Sequence, residues 1–197
     1  MISALKDMLG RPFTEANLCF ITTASVAEPG NHDWFVEDLN RVYSLGWRSF
    51  DVLDLNGVTK ELVVKRLEQA DVIYIEGGNT YHLAKSIIDD DLVVDFLSLL
   101  ETKVYVGVSA GSMIFSKHFT EHLTTLFGEA DELYQLNDRK SISPFNLFDW
   151  FVMPHVNDGK SPDPKEFPIY AIDDQTALKI IDGKVEVISE GKWEFVS

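Results

Sequence analysis

Apolar-rich runs recur along the first half of the chain, at 18–22, 50–55, 72–75 and 104–108, each ending in polar or turn-forming residues. Runs this short, so bounded, predict buried strands. Between them the spacing of apolar positions changes to that of a helix. Residues 33–45 set Phe35, Val36, Leu39, Val42 and Tyr43 on one face, and residues 59–69 do the same with Leu62, Val63 and Leu67. Asn56-Gly57 makes a turn before the latter. Residues 79–88 and 90–100 continue the alternation, and residues 3–9 read as a leading helix. Strands that alternate with helices need crossover connections, so the pattern predicts a parallel sheet covered by helices on both faces.

The last third has a different rhythm. Segments 151–154, 167–172, 177–181 and 184–188 read as short strands, with Asp182-Gly183 and Glu190-Gly191 as hairpin-type turns. The parallel core is therefore expected to carry a C-terminal antiparallel extension. Residues 123–146 mix polar and turn-forming types and read as a long loop with short helical pieces, placed to act as a lid. No linker, repeat or low-complexity tract interrupts the chain, which points to a single domain over 1–197.

Composition narrows the function classes. The 197 residues carry a formal net charge of −15, which repels polyanions and makes nucleic acid and anionic membranes unfavourable partners. No apolar run approaches the roughly 20 residues of a membrane span, and the N-terminus lacks a signal-peptide layout. The single Cys19 excludes an intrachain disulfide and sits in an apolar run, as a buried core residue would. These features point to the cytoplasm. Nothing in the sequence speaks to oligomeric state.

Four segments carry candidate chemistry. Gly107-Val108-Ser109-Ala110-Gly111, directly after a predicted strand, is the G-x-S-x-G pattern of a nucleophile elbow. A serine on such a sharp turn exposes its hydroxyl, and the flanking glycines let the turn pass close to its neighbours. The Ala110 amide, at the start of the next helix, is placed to hold an oxyanion. Glu76-Gly77-Gly78-Asn79-Thr80 follows the preceding strand. There the Gly78 amide is a second oxyanion donor, and Asn79 or Thr80 can cap the following helix. His155, just beyond the run 151–154, suits a general base. Asp173 and Asp174 lie between two predicted strands and, with Asp158, are the candidates for an acid that orients the imidazole. Strand alternation makes Asp173 and Asp174 face opposite ways, so one of the two at most points to the site.

His118-Phe119-Thr120-Glu121-His122 fits the short zinc pattern H-x-x-E-H, which needs a continuous helix and a further ligand. The expectation is no metal. Without a Walker loop or a G-x-G-x-x-G, no nucleotide cofactor is implied.

In this order and spacing, Gly77-Gly78-Asn79-Thr80, the Ser109 elbow, Pro154-His155 and the late acidic stretch 172–178 resemble the serine peptidases that include dipeptidase E (α-aspartyl dipeptidase) and cyanophycinase, peptidase family S51. The resemblance implies a three-layer α/β sandwich like that of class I glutamine amidotransferases. It implies Ser109 as nucleophile, His155 as base, Asp174 as the acid, Gly78 and Ala110 as the oxyanion hole, Asn79 at the substrate, and no cofactor. The expected activity is hydrolysis of small peptides. Two departures from the family pattern stand out. The chain starts in what corresponds to the helix after the usual first strand, and the segment 159–166 after His155 is short and contains no Arg. The only nearby cations for an aspartyl side chain are then Lys160 and Lys165. These departures keep open a second expectation, an inactive member that binds a small molecule or peptide. An esterase of the α/β-hydrolase type is disfavoured, because that fold places the acid before the histidine along the chain.

Overall fold

The computed structural model describes residues 1–119, 143–156 and 167–197. Helix α1 (Ile2–Leu9) leads into β1 (Asn17–Ile21), the short α2 (Thr23–Val26) and α3 (Asp33–Tyr43). Then follow β2 (Ser49–Leu53), α4 (Lys60–Gln69), β3 (Val72–Ile75), α5 (Thr80–Asp89), α6 (Val93–Leu100), β4 (Val104–Gly107) and α7 (Ala110–Met113). The last third supplies β5 (Phe151–Met153), β6 (Ile169–Ile172), β7 (Thr176–Ile181), β8 (Lys184–Ser189) and β9 (Trp193–Val196).

The first four strands form a parallel sheet in the order β2-β1-β3-β4. Alternation explains why its centre is apolar on both sides. Leu18, Phe20, Val72 and Tyr74 pack on the face covered by α3, against Phe35, Leu39 and Val42. Cys19, Ile21, Ile73 and Ile75 pack on the other face with residues of α4, α5 and α6, including Leu67, Ile87 and Phe96. Strands buried on both faces read as continuous apolar runs, which is why they were legible. The predicted α/β sandwich with a mostly parallel sheet and a C-terminal antiparallel extension is the observed architecture. In that extension, β5 pairs parallel with β6, β6 antiparallel with β9, and β7 with β8 as a hairpin.

Boundaries differ from expectation for identifiable reasons. Asp91 takes a left-handed φ of 53°, which breaks the chain between α5 and α6 and delays the second helix to Val93. Strand β6 opens only at Ile169, after Pro168, which has no amide to give a ladder. Strand β9 was not expected, although its aromatic-rich sequence follows the turn at Glu190-Gly191. Most of the predicted lid, and the connection after His155, lie outside the described residues.

Candidate active site

The site forms where β3 and β4 end. Beyond β4 the chain turns so sharply that Ser109 takes φ 47° and ψ −111°, outside the regions open to an unstrained side chain. Both glycines of the elbow are required by contact. A Cβ on Gly107 would collide with the Gly111 carbonyl, and one on Gly111 would collide with the Ile75 carbonyl. The Tyr105 hydroxyl donates to the Gly111 carbonyl at 2.6 Å and fixes the turn from the core side. Helix α7 is a single turn of four residues, so its dipole gives the elbow little support beyond its first amides.

The glycine loop after β3 packs against this turn. A Cβ on Gly77 would stand 3.1 Å from the Ser109 Cβ. Gly78 has φ 129°, and a side chain there would strike the Ala24 carbonyl of α2. Helix α2 holds the loop in three ways. The Ser25 hydroxyl donates to the Gly77 carbonyl at 2.7 Å, the Asn79 amide donates to the Ala24 carbonyl at 2.9 Å, and Thr23 anchors α2 to Asp54 at 2.9 Å. The amides of Gly78 and Ala110 donate to no acceptor among the described residues. Asn79, expected at the substrate, accepts from the His82 amide at 2.9 Å as the N-cap of α5. It does not line the cleft described below.

His155 follows β5 with a left-handed φ of 62°, a conformation uncommon outside glycine. The next residue ties this turn to the extension, since the Val156 amide donates to the Ile172 carbonyl at 3.0 Å. His155 Nδ1 lies 2.6 Å from Asp174 Oδ1, with both side chains about half exposed. Asp173 lines the same cleft but is engaged within its own turn. Its carboxylate accepts from the Gln175 amide, the Thr176 hydroxyl and the Lys192 amide, and these bonds hold its pKa below the ordinary value. Asp158 lies outside the described residues.

Ser109, His155, Asp174 and Gly78 line one cleft of about 1180 Å³. Glu76 lines it too, although the residue is 1% exposed, and burial raises its pKa to about 7. The sequence pattern assigns Glu76 no role. An acidic residue directly after a buried strand was the available signal. Cys19 is buried beneath the sheet with its pKa pushed up to about 12, the state of an inert core thiol. Helix α7 ends at Met113, so His118 stands outside it and stacks on Phe167 with ring centroids 4.0 Å apart. Glu121 and His122 lie outside the described residues.

Fold and cleft together define a class, the peptidase E-like α/β sandwich. The chain belongs to peptidase family S51, whose model matches residues 1–188. An uncharacterized peptidase of Pasteurella multocida is 27% identical over 169 residues, 84% of this chain and 72% of that protein. One from Listeria monocytogenes is 27% identical over 167 residues, 80% of this chain and 77% of its own length. Among solved structures, a peptidase E candidate of Listeria monocytogenes superposes with a TM-score of 0.77 at 22% identity, over 97% of this chain and 94% of that one. A peptidase from an acI-B1 actinobacterium gives 0.56 at 21% identity, over 90% and 82%.

Proposed function

We propose that this member of the peptidase family is a serine-type hydrolase of small peptides, of the dipeptidase E kind. The observation that carries the reading is the 2.6 Å pairing of His155 Nδ1 with Asp174, on the cleft that Ser109 also lines. A carboxylate at Nδ1 keeps a proton on that nitrogen and leaves the Nε2 lone pair to act as base.

In this reading the Ser109 hydroxyl attacks the scissile carbonyl carbon while His155 Nε2 takes its proton. The Gly78 and Ala110 amides hold the oxyanion of the tetrahedral intermediate. Collapse expels the amine, which receives the proton from His155, and leaves an acyl-enzyme on Ser109. Water, deprotonated by His155, attacks the ester; the second intermediate collapses to the acid, and the proton returns to Ser109. Asp174 orients the ring and stabilises its cation without forming a bond to substrate. The strained conformations of Ser109 and His155 support the reading, because strain of about 1–3 kcal/mol per residue persists where the surroundings over-determine it, as at active sites. A cytoplasmic setting fits the single buried thiol. Among the described residues no helix is long and apolar enough to cross a membrane.

The test is a fluorophosphonate label together with a peptide hydrolysis assay. The parent protein is expected to label at Ser109. Ser109→Ala is expected to fold normally and lose at least about 1000-fold in kcat/KM. Binding of peptides without labelling or turnover would instead identify a binding protein on a peptidase scaffold.

A further inference from the structure

One carboxyl in the cleft has no part in this chemistry. Glu76 stands at the end of β3, where its backbone amide extends the ladder to the Ile21 carbonyl at 3.1 Å. It continues the alternation of Val72 and Tyr74, so its side chain falls on the face covered by α3. One carboxyl oxygen accepts from the Gly77 amide at 2.8 Å. The other, Oε2, is buried with no hydrogen-bond partner in the described structure. A buried carboxyl left half-satisfied is costly, and such groups in native proteins mark places completed by something else.

The charges around it indicate what that is. Arg41, the nearby cation on α3, is ion-paired with Asp38 of the same helix. Of the other cations on the cleft, Lys179 pairs with Glu186 at 3.0 Å and Lys103 donates to the Glu68 carbonyl at 2.8 Å. Asp173 and Asp174 add negative charge to the same cleft. An anionic side chain would be repelled by the Glu76 carboxylate, whereas a primary ammonium would supply both the missing donor and the missing charge.

We infer that Glu76 is the specificity-determining residue of the cleft, with Oε2 accepting a primary ammonium of the peptide, either its free N-terminus or a lysine side chain. The inference rests on the reading of the cleft as a peptide site. Its position suits the role. Gly77, whose amide the same carboxyl holds, packs against Ser109, so a single glycine separates Glu76 from the nucleophile's turn. The preference that follows is for unblocked or basic peptides, and against an N-terminal aspartate.

The experiment measures binding rather than turnover. Ser109→Ala is titrated by calorimetry with a dipeptide or tripeptide carrying a free N-terminus, with its N-acetyl form, and with forms that exchange lysine for norleucine. Removal of the ammonium that Glu76 receives is expected to weaken binding about 10-fold or more. The acetyl and norleucine arms tell an N-terminal amine from a lysine side chain. Glu76→Gln keeps the shape and the acceptor for the Gly77 amide but removes the charge. In the Ser109→Ala background it is expected to abolish the discrimination while blocked peptides bind as before. Equal binding of all forms, or discrimination that survives in Glu76→Gln, overturns the assignment and leaves the peptidase reading standing. Absence of binding by every peptide overturns both.

Discussion

Asp173 and Asp174 are adjacent, identical in chemistry and differently bonded. Both lie in the turn between β6 and β7, beyond the reach of strand alternation. The turn's hydrogen bonds separate them: Asp173 is held by two backbone amides and a hydroxyl, and Asp174 meets His155. The expected result is a split between rate and stability. Asp174→Asn should lower kcat/KM by about 100- to 10,000-fold with the melting temperature unchanged. Asp173→Ala should lower the melting temperature and cost less in rate, because the turn between β6 and β7 loses its clamp. Hydrolysis assays and thermal unfolding on the two purified variants check this. A larger rate loss at Asp173 would reverse the assignment. The serine, the histidine and the pair of acids were legible as residues at strand ends. The resemblance pointed to Asp174, and what engages its neighbour Asp173, the Lys192 amide 19 residues on, was not legible.

At the scale of elements, the glycine loop and the serine elbow are two strand-to-helix turns built to touch. Adjacent parallel strands bring them side by side, in the register Ile75 to Gly107. Both turns were legible through their glycines, but the third partner was not. Helix α2 is only four residues long, too short to show a period, yet it supplies the carbonyl that excludes any side chain from Gly78. Two neighbouring substitutions should therefore behave differently. Asn79→Ala removes a helix cap and is expected to cost about 1 kcal/mol in chemical denaturation, with hydrolysis near the parent rate. Gly78→Ala drives a Cβ into the Ala24 backbone and is expected to displace the loop, with a large loss of activity. Parent-like activity in Gly78→Ala would mean that the loop's position is irrelevant to the chemistry.

For the whole molecule, Glu76 links the cleft to global stability. Its folded pKa, about 7, exceeds the ordinary 4.5, chiefly through burial, with Asp38 raising it further and the Gly77 amide and Arg41 opposing. Between those values the folded chain holds a proton that the unfolded chain has released. The stabilisation this represents is complete below pH 4.5 and is lost as pH rises through 7. The unfolding free energy of the parent, minus that of Glu76→Gln, is thus expected to fall by on the order of 3 kcal/mol across that window. Denaturation curves at pH 4.5, 6 and 8 measure it, and a difference that does not change with pH would mean that Glu76 titrates normally in the folded state. Acidity spread over a chain of net charge −15 concealed this one group, which tertiary burial alone sets apart.

By itself the sequence determined the alternation of strands and helices, the parallel core, and the two glycine-bearing turns that follow β3 and β4. These are properties of local pattern: apolar spacing selects the element, and glycine marks where backbones must pass without a Cβ. Only the tertiary structure decided which acid lies against the His155 ring, that α7 stops after one turn, and that Glu76 is buried with an oxygen unfilled. The acid's partner and the burial of Glu76 depend on segments distant in the chain, and such partners and desolvation are properties of neighbours in space that no local pattern encodes.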